Sequence, residues 1–549
     1  MNSTLILIGG LLWFFLVYRF YVKLIDRKVI KPDDRNITPA HVLKDGIDYV
    51  PSPKPLLFGH HFSSIAGAGP IVGPILAYAL FGWGAALLWI LLGTAFIGII
   101  HDYFSLMVSV RNRGISITEI SGEVISPTAK WMFSIFVWLS LILIVAVFSI
   151  ITAKTLAEKP EIVIPTLGLI ALASLFGLAV YRLRVKLIPA TLVAWGIIII
   201  LVQLGYRYPI VASFDLWFYV FLIYAYIASS LPVWILLQPR DYLSMTILFV
   251  GLILGYAGIL ILQPTINGPV HTVFISNNTP LVPMLFVIVA CGAISGFHSL
   301  VSSGTTAKQL NRESSGKFIG AGGMVFEGVL ALLVLILVAS ALFWNKAPQA
   351  LSDFIFQDLM KKGPIIAFGQ GFGRAVSTTG IPFNLAVAFG ILMLNAFVLT
   401  SLDTAVRLSR FVFQEALFKK KSLLSNRWVA GFIGVLFAFM LAKSNSWNII
   451  WPIFGSANQL IAALALFTVT AYFAGIKRPV RYSLIPSVFM WLVTEASLLY
   501  LFIFQYMGGF LKNTGDTVLA VTALILFILG AIIGIESLKS IREKMRLKT

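Results

Sequence analysis

The sequence predicts an all-α polytopic membrane protein of about 15 transmembrane helices. Three observations predict it: a composition poor in charge, apolar runs of bilayer length, and basic residues that alternate from one inter-run loop to the next. Of 549 residues, 59% are hydrophobic and 11% charged, whereas soluble domains carry about 25% charged residues. The apolar residues come in runs of about 20, the length a helix needs to cross roughly 30 Å of hydrocarbon. A net charge of +19 does not point to nucleic acid, because the basic residues are scattered over short loops and not gathered in one domain. Loops of that kind hold to anionic membrane lipid. Cys291 is the single cysteine, which excludes an intramolecular disulfide and Cys-rich metal sites.

Taken in order, the runs begin near residues 4, 62, 84, 131, 162, 187, 214, 243, 281, 318, 380, 428, 448, 482 and 516; they are called spans one to fifteen below. Span one (Leu5 to Tyr18) has no basic region before it and no small-residue cleavage site after it, so it reads as a retained helix. With the N-terminus outside, the outer loops hold nine basic residues, Lys154, Lys159, Arg207, Lys346, Lys361, Lys362, Arg374, Lys443 and Lys512, out of 41 in all. The inner side collects the rest, among them Arg19, Arg111, Arg182, Arg240, Arg312, Lys419 to Lys421, Arg478 and the Arg542/Arg546 tail. This asymmetry places the C-terminus in the cytoplasm. The chain divides into an N-terminal helix and cytoplasmic loop (1–58), a first half (59–265), a second half (281–476) and C-terminal helices with a basic tail (480–549). The run F-G-Q-G-F-G-R after Ala367 follows no strand, so it is no dinucleotide fingerprint, and no phosphate-binding loop occurs. The expected energy source is an ion gradient, with no cofactor.

Three spans are spoiled by Gly, Pro, Ser and Thr. Span two reads G-H-H-F-S-S-I-A-G-A-G-P-I-V-G-P from Gly59 to Pro74, span nine C-G-A-I-S-G-F-H-S-L-V-S-S-G-T-T-A-K-Q from Cys291 to Gln309, and span thirteen, more mildly, W-P-I-F-G-S-A-N-Q-L from Trp451 to Leu460. Such clusters interrupt a helix and free backbone groups that cannot face lipid. Broken helices near the midplane hold substrates and ions in secondary transporters; close packing through small residues is the bland alternative. The two main breaks lie seven spans apart, so their helices run in opposite directions, as in an inverted repeat.

Titratable residues inside spans are costly and usually functional. His60, His61, His101 and His298 fall in or at the ends of spans, with Asp102 beside His101, Glu327 in span ten and Glu495 in span fourteen. Thr400, Asp403, Thr404 and Arg407 share one face of span eleven, which suits a hard cation or a proton relay; an Asp403–Arg407 ion pair is the alternative. Zinc needs three or four convergent donors, and the adjacent His60 and His61 point in different directions, so no metal site is expected.

At these residues the chain resembles the carbon starvation protein A (CstA) family. The matching stretches are FGHHFSSIAGAGPIVGP (58–74), LQPRDYL (237–243), SGFHSLVSSGTTAKQ (295–309), TSLDTAVR (400–407) and SANQL (456–460). The resemblance implies a transporter of the amino acid–polyamine–organocation superfamily, with a LeuT-like inverted-repeat core plus additional helices, linked to uptake of peptides and pyruvate. Spans two and nine would be its two broken helices, and span eleven would supply hydroxyls for the coupling cation. The expected activity is symport of a small carboxylate nutrient with a proton or Na⁺ at the inner membrane; an ion channel or a transporter-like sensor is the alternative, and enzymatic activity is not expected. Substrate is expected at Gly67, Gly69, His298, Ser302, Ser303, Gly304, Asn458 and Gln459, its carboxylate meeting amides near Gly67, Gly69 and Ser302 to Gly304. Ion coupling is expected at His61, Ile65, Ala68, His101, Asp102, Thr400, Ser401 and Asp403, with the cation between the carbonyls of Ile65 to Ala68 and the side chains of Thr400, Ser401 and Asp403.

Overall fold

The computed structural model describes residues 2–546 except 47, 233–234, 277, 415–423, 425, 445–446 and 507–513. The basic residues Lys419 to Lys421 and Lys512, used above to orient the chain, lie outside the described residues. Among the described residues the architecture is helical, apart from one short antiparallel pair, Ile275–Ser276 with Thr279–Pro280.

Twelve helices among the described residues are long and apolar enough to cross a bilayer, from Ser3–Ile30 to Thr517–Arg546. Three of the expected spans fall outside that set. Span seven is the 17-residue helix Phe214–Ser230, span twelve is Arg427–Ser444, and span nine is broken into Leu281–Ile288 and Gly296–Gly304. The expectation of about 15 thus stands against twelve such helices among the described residues, and the shortfall at span nine is the break itself.

Burial sorts the helices into a centre and a rim. The most apolar window of Ile450–Gly475 is 100% buried, while that of Leu187–Arg207 is 11% buried. On this rim helix Ile188, Leu192, Val193, Ile199 and Ile200 are all exposed. They are apolar without being core, as lipid contact requires.

The break of span two falls where the sequence clusters its glycines, and that of span nine falls around Gly292. Span two runs as Lys54–Ile65, stops at Ala66 to Ala68, and resumes as Gly69–Phe81 with Pro70 in its first turn, the position where a missing amide costs nothing. The two breaks touch. A Cβ on Gly73 would stand 2.7 Å from the Ile288 carbonyl oxygen, one on Gly292 would stand 3.5 Å from Pro70 Cα, and one on Gly69 would overlap Cys291. On the other side of span two, a Cβ on Gly67 would lie 3.0 Å from Ser401 Oγ of span eleven. The glycines are therefore contact surfaces between the two broken helices as well as breakers.

A strap, residues 31–46 and 48–53, crosses the ends of spans three, nine and ten. Asp33 donates its amide to Glu313 Oε2 (2.9 Å), Ser314 donates its amide (2.9 Å) and its hydroxyl (2.7 Å) to Asp34, and Ser52 donates its amide to the Gln309 carbonyl (3.1 Å). The Ser314 bonds hold the Asp34 carboxyl below its ordinary range. Glu313 is buried and takes Arg111 through two bonds, 2.9 and 3.2 Å. Beneath the strap lies a cavity of about 620 Å³ bordered by Arg111, Arg113, Glu313 and Tyr472.

Because backbone and not a flexible side chain faces Gly73, Gly73→Ala should destabilise the protein by the roughly 1–3 kcal/mol of an overpacked core. Gly9→Ala, where a Cβ meets nothing within 4 Å, should leave thermal unfolding in detergent unchanged. Equal melting of the two variants would contradict the close approach of the breaks.

Candidate transport site

The break in span nine strands backbone groups in the middle of the bundle, and side chains from other spans satisfy them. Three bare carbonyls accept bonds: Phe286 O from Gln459 Nε2 (2.8 Å), Val289 O from Trp89 Nε1 (3.1 Å) and Gly292 O from Thr94 Oγ1 (3.1 Å). At the start of the next helix, the Phe297 amide donates to Asn458 Oδ1 (2.8 Å), and Asn458 Nδ2 donates to Ser295 Oγ (2.9 Å). Spans three and thirteen thus mend the break, and Asn458 and Gln459 sit on its two lips. Thr94 opens a π-helical turn, Thr94–Gly98, a distortion frequent at functional sites.

One expectation is corrected here. Ser302, Ser303 and Gly304 were expected to present amides to an anion. They form the C-terminal end of the helix Gly296–Gly304, where carbonyls, not amides, project. Ser303 Oγ donates to the Ser299 carbonyl (2.7 Å) and accepts the Ile117 amide (3.1 Å). The amide-bearing end is Gly296 to His298, because the chain leaves the helix at Val289 to Ser295.

Below the break lies a first buried polar cluster. His298 Nδ1 is 2.8 Å from Asp102 Oδ2, whose other oxygen is 2.7 Å from His101 Nδ1. His298 Nε2 is 3.2 Å from Glu327 Oε2 of span ten. All four side chains are fully buried. Of the residues expected here, the structure brings His101, Asp102, His298 and Asn458 into one region. His61 lies alongside, its Nδ1 bonded to Thr306 Oγ1 (2.9 Å) and its ring against Gly323.

A second cluster joins spans two, seven, eight, nine and eleven. Arg240 clasps Asp403 through two bonds, 2.5 and 2.9 Å, and Tyr224 donates to Asp403 Oδ2 (3.2 Å). Asp241 lies 3.3 Å from Arg240 and 2.8 Å from His60 Nδ1, and the opposite ring nitrogen of His60 is 3.1 Å from Thr305 Oγ1. Asp403 therefore commits both oxygens to Arg240, which is neither the cation ligand nor the Arg407 partner expected from its helix face. Arg407 instead donates to the carbonyls of Ala228 (3.1 Å) and Leu231 (2.5 Å). Thr400 bonds its own helix at Ala396 O (3.0 Å), and Ser401 Oγ alone of that group reaches span two, at Ser64 O (3.2 Å). Ile65 and Ala68 flank the break of span two, both buried.

Sequence reasoning passed over Arg240, Asp241 and Tyr224. Arg240 was counted with the cytoplasmic basic residues because span eight was started near 243; the helix begins at Leu237, and Arg240 is 1% exposed. The adjacent Arg-Asp of LQPRDYL was the available signal, since a charged pair next to an apolar run either borders the membrane or is buried and matched.

With this geometry in place, known proteins supply a family. The model of the "Carbon starvation protein CstA" family matches residues 2–354 and 348–497. The chain belongs to that family. It is similar to the pyruvate/proton symporter BtsT of Escherichia coli, 31% identical over 90% of this chain and 81% of the relative. It is likewise similar to the peptide transporter CstA of Escherichia coli, 32% identical over 90% of this chain and 80% of that one. The Bacillus subtilis peptide transporter CstA is 32% identical over 98% of this chain and 97% of its own. Among solved structures, a manganese transporter of Eremococcus coleocola shares the fold with a TM-score of 0.51 at 11% identity, covering 91% of this chain and 99% of that one. The chain is thus a multi-pass membrane protein of a family of nutrient transporters.

Asp403→Asn should cost about 3–5 kcal/mol, since it leaves Arg240 buried without its main counter-charge. The double variant Arg240→Met/Asp403→Leu should lose less than either single variant. Thermal unfolding in detergent reads the difference; a single variant as stable as the parent would show that the pair contributes nothing.

Proposed function

We propose that the chain is a secondary active transporter of the inner membrane that takes up a small carboxylate nutrient, peptide or pyruvate, together with a proton. The observation that carries this reading is the contact between the breaks of spans two and nine, with side chains standing in for backbone partners. Asn458 Oδ1 occupies the amide end of Gly296–Gly304, where an anion's oxygen is favoured by the helix dipole. A substrate carboxylate would displace Asn458 there, between Gly67 to Gly69 and Gly296 to His298. Two halves in an inverted, LeuT-like arrangement would then rock about this point, with the N-terminus outside and the C-terminus in the cytoplasm.

Proton coupling fits the second cluster better than sodium does. Asp403 spends both oxygens on Arg240, so the carboxylate that span eleven would offer to Na⁺ is already engaged. Only hydroxyl oxygens such as that of Thr400, which donates its hydrogen to Ala396 O, are left there. His60 bridges Asp241 of span eight and Thr305 of span nine. Taking or releasing a proton there changes the bonds that tie span two to both neighbours. The names of the relatives, a pyruvate/proton symporter and peptide transporters, support the same assignment.

Proteoliposomes test it with labelled pyruvate and a labelled dipeptide under imposed gradients. The expected result is saturable accumulation of one of them with the outside acid, abolished by a protonophore. His60→Gln should lose gradient-driven accumulation while keeping exchange of labelled for unlabelled substrate. Uptake of neither compound under a proton or a Na⁺ gradient would overturn the reading, and a non-saturating current without exchange would make the protein a channel.

A further inference from the structure

Three side chains at the junction of the two breaks converge in a way that the transport reading does not use. Cys291, within the break of span nine, His298, in the first turn of its second half, and Glu327, in span ten, place a sulfur, a nitrogen and an oxygen all within 4.8 Å of one another. Each is buried. Both oxygens of Glu327 and the Nε2 of His298 lack a hydrogen-bond partner among the described residues, although Glu327 Oε2 lies 3.2 Å from that nitrogen. A carboxylate left without bonds inside a membrane bundle is costly, and a cation between it and the imidazole would supply what it lacks.

We propose that Cys291 Sγ, His298 Nε2 and Glu327 form a binding site for a borderline divalent transition-metal cation of the Zn²⁺ class. The donor set is of the mixed N, S and O kind that Zn²⁺ accepts, with three protein ligands and one position left open. Bond lengths of about 2.0–2.3 Å mean that the three donors close by roughly an ångström around the ion. The support behind the ligands is already built. Asp102 Oδ2 holds His298 Nδ1 at 2.8 Å, which fixes the ring so that Nε2 faces Glu327, the carboxylate–histidine arrangement that orients metal-bound imidazoles. Asn458 Nδ2 lies 3.6 Å from Cys291 Sγ and can donate to a thiolate. Gly69 closes the other side, since a Cβ there would overlap Cys291. The metal would join spans nine and ten beside the break of span two, whether or not a proton drives transport.

Because Cys291 is the chain's single thiol, the site has an unambiguous readout. The full-length protein in detergent, stripped of metal, is titrated with Co²⁺ while the near-ultraviolet thiolate-to-cobalt band is followed, and bound Co²⁺ is then displaced with Zn²⁺. One equivalent should bind and produce the band; Cys291→Ser should abolish it. Asp102→Asn should weaken binding by about 10–100-fold, and Glu327→Gln by at least as much. Size-exclusion profiles verify folding, and a second measurement needs no variant at Cys291: Zn²⁺ should protect its thiol from a small membrane-permeant alkylating reagent in the parent and not in Glu327→Gln. No band and no protection in the parent protein would overturn the proposal, as would binding that Glu327→Gln and Asp102→Asn leave unchanged. Neither result bears on uptake, so failure here leaves the transport reading to its own test.

Discussion

The structure depends on how a helix broken inside a membrane satisfies its own backbone. Water is not available there, and each stranded carbonyl or amide costs several kcal/mol unless a partner is supplied. At span nine the partners are side chains: Gln459 and Asn458 from span thirteen, Trp89 and Thr94 from span three. This fixes which helices must surround the break, and so the position of the most buried helix, Ile450–Gly475, at the centre of the bundle. Side-chain partners also differ from backbone ones in a functional way. They can swing aside on one rotamer, so a break mended by Asn and Gln can exchange its partner for a ligand without unfolding a helix.

Charge inside the bundle follows the same constraint. Asp403, Asp241, Arg240, Tyr224 and His60 form a closed set in which the carboxylates meet the guanidinium or imidazole. Such a set adds little net stability compared with apolar packing, yet losing one member is severe. Its value here is that it links four spans and, through the contact of His60 with Thr305, a fifth, so that both broken ones are tied to it. The cluster around Asp102, His298 and Glu327 is different, since Glu327 keeps oxygens without hydrogen bonds. In one cluster every carboxylate oxygen is matched; in the other Glu327 is short of a partner.

Much of this was legible in the sequence, for identifiable reasons. Apolar runs of bilayer length announce spans, and Gly67 to Pro74 announces a break because no helix keeps its bonds through that many glycines and prolines. The location of the break in span nine was not legible. Ser302 to Thr306 is richer in small polar residues than Gly292 to Ser295, yet the break falls at the latter, where Trp89, Thr94 and Gln459 from distant spans supply the partners. The identity of the Asp403 partner was hidden likewise: Arg240 lies 163 residues away, whereas Arg407, on the same helical face, was the local candidate. Helix periodicity reports which residues share a face; it does not report which other helix that face meets.

The central claim is that substrate binds where the two breaks meet and takes the place of Asn458 at the start of Gly296–Gly304. A cryo-electron microscopy structure of the full chain with saturating transported substrate tests it most directly. Density for the ligand between Gly67 to Gly69 and Gly296 to His298, with the Asn458 amide turned away from the Phe297 nitrogen, is the result expected. Ligand density elsewhere in the bundle, with the Asn458–Phe297 bond intact, would contradict the account.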